Sequence, residues 1–248
     1  MTRSPEEFKE ILTSLIASCR REPDLKEIAE QRGLTREGAK RMVLERSWFN
    51  RSWPRWLAGV TANCPEKDVN KYLIENMYEE GVNDHRVGTD HNELLLRMGE
   101  ALGLTRREIQ DYQASPVTVA ATSYWANTSR TRPWLYGFTA LVCLEISASR
   151  RAMGSHYREK AVKPSEALRK LGLGPKDIEG STNHDAAEED HGTEALRLLL
   201  KHADTEEKQE TVLSAIRESL RVIKMFNDNI GRMMMDASEG VGTSLHSA

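Results

Sequence analysis

Residues 183–200, NHDAAEEDHGTEALRLLL, place His184, Glu188 and His191 at positions i, i+4 and i+7. On an α-helix these three side chains share one face and stack on successive turns. Two imidazoles and a carboxylate converging from one rigid helix make up most of a facial metal site, of the kind that suits iron(II) or manganese(II). The competing reading is a solvated acidic helix face with incidental histidines, and the neighbouring Asp185, Glu189 and Asp190 favour it.

Outward from this stretch the chain reads as helix almost throughout. Upstream, PWLYGFTALVCLEIS (133–147) predicts a central helix that leads into a basic stretch ending near Lys163. At the N-terminus Ser4, Pro5 and Glu7 supply a cap, a first-turn proline and a capping-box carboxylate ahead of Phe8, Leu12 and Ile16 at helical spacing. Similar signals predict helices near 25–32, 35–62 (broken at Pro54), 65–80, 91–103, 105–113, 117–128, 164–171, 181–203 and 205–236. Val117, Thr118 and Val119 form the only strand-like run, too short to outvote its neighbours. The expected architecture is an all-α bundle of about seven to nine helices. It forms a single domain over residues 1–238, with a frayed tail at 239–248.

Composition narrows the class of function. The chain has 248 residues, 39% of them apolar, enough for a substantial core, and its formal net charge of −3 exerts no global pull on nucleic acid or anionic membrane. Cys19, Cys64 and Cys143 are odd in number, widely spaced and without a CxxC, which argues against a disulfide framework and a Cys-based zinc site and fits a reducing cytoplasm. The longest apolar stretch, near Trp134 to Leu144, is too short to span a bilayer.

Further candidates for chemistry lie outside the opening stretch. Glu145 sits within TALVCLEIS, where a buried carboxylate needs a metal, a cation or a hydrogen-bond network; an ion pair with Arg150 or Arg151 is the plainer alternative. On the 65–80 helix, Val69, Leu73 and Met77 define an apolar face on which Glu80 falls, whereas Glu79 points about 100° away. His91 opens the next helix, with His85 in the loop as its rival. Three carboxylates and three histidines from four helices would leave two divalent ions near neutrality, with coordination positions open for O2 and substrate. A ferritin-like centre would need two Glu-x-x-His pairs, and this chain has one, Glu188 to His191.

With Asn76-x-x-x-Glu80, His91 leading a helix that ends in Ala101-Leu102-Gly103-Leu104, Glu145 in the central helix and His184-x-x-x-Glu188-x-x-His191, residues 40–235 resemble the haem-oxygenase-like di-iron oxidases. That family shares its fold with thiaminase II and pyrroloquinoline-quinone synthase. The resemblance implies a haem-oxygenase-like helical fold and two Fe(II) ions held by Glu80, His91, Glu145, His184, Glu188 and His191. It also implies O2 as co-substrate, activated through a peroxo-di-iron species, and an external reductant where product leaves the centre oxidised. The expected partner is a small organic metabolite such as an amine, amino acid or fatty-acid-like molecule, with neither nucleic acid nor membrane, and with a homodimer and an electron donor left open.

Two other functions compete. LKEIAEQRGLTREGAKRMV (25–43) mimics a helix-turn-helix, with Arg36, Lys40 and Arg41 available for DNA; a helix corner turned by Gly33 and recapped by Thr35 is the favoured reading. A metal-free enzyme of the same fold, a thiaminase-like hydrolase or a cofactorless quinone-cofactor oxidase, is the other. A thiaminase needs an activated thiolate, and Cys143, two positions before Glu145, does not share its helix face. The five tryptophans, 48, 53, 56, 125 and 134, are expected in the core and the pocket wall, and Met233 to Met235 at an apolar helix end.

Overall fold

The computed structural model describes residues 1–243, with side chains throughout except at 183–188 and 239–243. Local signals set many of the helix starts. Ser4 and Glu7 close a reciprocal capping box on α1 (Pro5–Cys19), and Asp24 caps α2 (Leu25–Gly33). Thr35 caps α3 (Arg36–Asn63), which passes through Pro54 without the expected break. One missing N–H costs a single helical hydrogen bond, and the Pro54 ring is held against the end of α4 (Lys67–Gly81), where a β-carbon on Gly81 would come within 3.1 Å of it.

A loop closed by one bridge, Asp84 to Thr89, then delivers the chain to Asp90, the cap of α5 (His91–Leu102). Short α6 (Arg106–Gln110), α7 (Pro116–Thr131) and the central α8 (Trp134–Ala148) follow. Val117 to Val119 lie in α7, and no strand occurs among the described residues.

The central helix does not continue toward Lys163. Ser149 turns extended and becomes the cap of a new four-residue helix, α9 (Arg150–Met153), followed by a 3₁₀ turn (Gly154–His156), α10 (Pro164–Arg169), α11 (Glu179–His202) and α12 (Glu206–Thr243). The described residues thus hold twelve α-helices and one 3₁₀ turn, more than seven to nine: the short α6 and α10 stand as separate helices, and the Ser149 cap adds α9 and the turn after it. Beyond the backbone of α12, the tail at 239–248 lies outside the described residues.

α8 is apolar on nearly every side because it is packed between α11, α12, α7 and α3. Its Phe138, Leu141, Val142 and Ile146 are fully buried. Between α3 and α7 the Phe49 ring lies 5.5 Å from Trp53, 5.2 Å from Trp56 and 5.4 Å from Trp125, and Trp56 and Trp125 are 5.3 Å apart. Trp48 and Trp134 are only partly buried, and Trp48 donates its indole N–H to the Tyr112 carbonyl. The α2–α3 corner packs beneath α12. A β-carbon on Gly231 would lie 2.2 Å from the Leu25 backbone, and one on Gly38 would lie 3.0 Å from the Met234 carbonyl. The start of α3 therefore abuts another helix, as a bundle corner does, and Arg36 donates to the Ala101 and Leu171 carbonyls while Lys40 pairs with Glu37.

Candidate metal centre

Tyr72, Asn76 and Glu80 follow one another at four-residue spacing along α4, and the first two hold Glu145 of α8. The Tyr72 hydroxyl donates to Oε2 at 2.6 Å and the Asn76 amide to Oε1 at 2.8 Å. Glu145 is 6% exposed and, among the described residues, has no arginine partner; Arg150 and Arg151 turn instead to Glu159, Glu189 and Asp190. Burial and the Glu145 carboxylate raise the Tyr72 phenol well above its ordinary pKa, so it remains a donor.

Each of two histidines stands between two carboxylates. His91, at the start of α5, places Nδ1 2.9 Å from Glu80 Oε2 and Nε2 3.1 Å from Asp84 Oδ2. His191, on α11, places Nδ1 3.5 Å from Glu145 Oε1 and Nε2 2.8 Å from Glu79 Oε2. Burial alone would lower both imidazole pKa values, but the facing carboxylates prevail. His91 is pushed up to about 9 by Glu80 and Asp84, and His191 to about 10 by Glu145 and Glu79. The hydrogen bond from His191, opposed by burial and helped by Arg86, holds Glu79 down at about 2. Burial also works against ionised Asp84, but the Arg86 backbone N–H and His91 lower its pKa overall. Arg86 Nη1 reaches both Glu79 (2.9 Å) and Asp84 (3.2 Å).

The structure therefore brings Glu80, His91, Glu145 and His191 to one pole of a cavity of about 660 Å³. His184 and Glu188 belong to α11, but their side chains lie outside the described residues. His85 is 71% exposed in its side chain and comes no nearer than 3.6 Å to Glu79 and 4.0 Å to Asp84, so His91 is the better-placed of the two.

Sequence reasoning missed Glu79, Asp84, Arg86 and the hold of Tyr72 and Asn76 on Glu145. Glu79 does point about 100° from Glu80, yet that direction faces α11 rather than water. The readable signal was the polar series 72, 76, 80 beside the apolar Val69 and Leu73.

The donors are carboxylate oxygens and imidazole nitrogens, a set that suits iron or manganese, and Asn76 Oδ1 is buried beside them without a hydrogen-bond partner. Two imidazoliums and a guanidinium now face four carboxylates, where divalent cations would serve the same electrostatic purpose. The residues fit a metal centre. Among the described residues, the one group of three such side chains whose ligand atoms already converge is Glu66, Asp68 and His202, which joins the N-terminus of α4 to the C-terminus of α11. Lys201 already occupies Asp68 at 2.7 Å, and an ion pair across two helix ends accounts for the group. The Cys143 thiol is fully buried, points to the Ala140 carbonyl and is pushed up to about 12 by burial, an environment opposite to that of a reactive thiolate.

Comparison with known proteins bears on the fold and the family. A pyrroloquinoline-quinone synthase of Pseudomonas aeruginosa is 26% identical over 197 residues, spanning 76% of this chain and 72% of the relative. A domain of unknown function with a haem-oxygenase-like fold from Shewanella denitrificans matches with a TM-score of 0.70 at 13% identity, covering 100% of this chain and 97% of its own. A TenA homologue from P. horikoshii gives a TM-score of 0.68 at 15% identity, covering 93% and 100%. The fold is therefore haem-oxygenase-like. The sequence model for the iron-containing redox enzymes matches residues 40–224, most of the chain, and the protein belongs to that family.

Proposed function

We propose that this protein is a non-haem di-iron oxidase or oxygenase that uses O2 to oxidise a small organic metabolite. The observation that supports it best is the pair of matched arrays, Asp84–His91–Glu80 and Glu79–His191–Glu145, at one cavity pole. In each, one carboxylate engages Nε2 and leaves Nδ1 turned to a second carboxylate, the outer-shell arrangement that fixes the ring and tautomer of a metal-binding histidine. The ligands would be Glu80, His91, Glu145, His184, Glu188 and His191. When bound, two iron(II) ions supply the electrons that reduce O2, which no ordinary side chain can do, and an external donor restores them where the product does not.

The chain's own residues have separate tasks. Tyr72 and Asn76 orient both oxygens of Glu145, and Asp84 and Glu79 orient the imidazoles. Met42, Phe49, Trp53, Leu95 and Met98 wall the cavity and keep bulk water from the substrate. A metal-free oxidase of the same fold is the second reading, favoured by the identity to relatives named pyrroloquinoline-quinone synthase.

One experiment separates the two: metal analysis after anaerobic Fe(II) loading, followed by O2 exposure. The di-iron reading expects two irons per chain and O2 uptake that depends on them, both reduced in Glu145→Ala and His191→Ala. Background iron with O2 uptake indifferent to Fe(II) would transfer the assignment to the metal-free reading.

A further inference from the structure

Besides the carboxylate–imidazole group, the cavity lining has a second chemical character. The same cavity is lined by apolar Phe49, Trp53, Leu95 and Met98 and by several cations. Most of those cations are matched: Lys26 is 2.7 Å from Glu30, and Arg150 pairs with Glu159. Arg20 is not matched in this way. This residue closes α1, and its Nη1 donates to the Ser147 hydroxyl at 2.6 Å, two residues beyond Glu145 on α8. Among the described residues its one carboxylate neighbour is Glu27, at 3.8 Å, and both Glu27 oxygens already accept from Arg158, at 2.8 and 2.6 Å.

Arg20 is thus a guanidinium only a quarter exposed, fixed in direction by a neutral hydroxyl, with most of its donors unspent and its charge only partly offset. A planar fork in this state matches a carboxylate, whose two oxygens accept from it side by side. We infer that the cavity takes a carboxylic acid with an apolar body, and that Arg20 reads the carboxylate while the body lies along Phe49, Trp53 and Met98. This rests on the proposed function in treating the cavity as the substrate site.

The test uses the metal-free full chain and three probes of equal shape, 4-phenylbutanoate, 4-phenylbutylamine and 4-phenylbutanol, titrated calorimetrically. The acid is expected to bind at least tenfold more tightly than the amine or the alcohol. Arg20→Gln should lower affinity for the acid at least tenfold and leave the alcohol unchanged, and Arg20→Lys should restore only part of the loss. Met98→Trp, which fills the cavity, should abolish binding of the acid. If Arg20→Gln does not give a native circular-dichroism spectrum, Ser147→Ala, which frees the guanidinium, should weaken the acid several-fold. Equal binding of amine and acid, no binding of any probe, wild-type affinity in folded Arg20→Gln, or unchanged binding in Met98→Trp would each overturn the inference. No iron takes part, so these outcomes stand apart from success or failure of iron loading.

Discussion

His91 and His191 give the metal-free protein a measurable pH signature. Both are raised above the ordinary value of 6.5, so what their charged forms add to stability is complete below pH 6.5. It is lost as the pH climbs through about 9 for His91 and about 10 for His191. The Tm of the metal-free chain should fall across that window, and Glu80→Gln, which removes one partner of His91, should flatten the lower part of the fall. A Tm constant from pH 6.5 to 10 would contradict the charged arrays. At this scale, what could be read in advance was what sequence neighbours alone imply. Glu145 announced itself as a carboxylate inside an apolar run. Glu79 did not, because the angle between two residues of one helix says nothing of what lies across from either. Arg86 and Asp84 were hidden in a loop whose one internal bridge leaves no periodicity to read.

Caps and apolar stripes made the elements legible wherever a helix begins with its own side-chain acceptor, as at Ser4, Thr35 and Thr105. They failed where tertiary packing overrides a local signal, at Pro54, and where a serine inside a helical pattern restarts the chain, at Ser149. The seam between α8 and α11 shows how tightly two such elements are fitted. A β-carbon on Gly192 would stand 2.7 Å from both the Glu145 carbonyl and the Ser149 Cβ, contacts that leave no room. Gly192→Ala should therefore push α11 off α8 at a cost of about 1–3 kcal/mol. Because His191 is its neighbour, amide exchange in α11 should quicken in the variant while that of α7 stays unchanged. Wild-type melting together with wild-type exchange would show that the seam has slack.

For the molecule as a whole, the expectation of one domain over 1–238 becomes a proposal about cooperativity. α12, which at 1.5 Å per residue extends about 57 Å, packs against α1, α2, α3, α7 and α8 and so ties the first helices to the central ones. A helix shared in this way leaves few lines along which part of the bundle could melt alone. The indole cluster between α3 and α7 turns this into an optical question. Trp56 and Trp125 lie 5.3 Å apart at a tilt of 35° with Phe49 edge-on to both, and rings so fixed are chiral chromophores that give near-ultraviolet dichroism only while locked together. The protein carries its own spectroscopic clock. Loss of the near-ultraviolet bands should coincide with loss of helical signal at 222 nm on heating, whereas an indole signal that fades first would divide the chain into two melting units. Trp53 stands at the cavity wall of the same cluster, so the same bands should shift when a ligand enters the cavity.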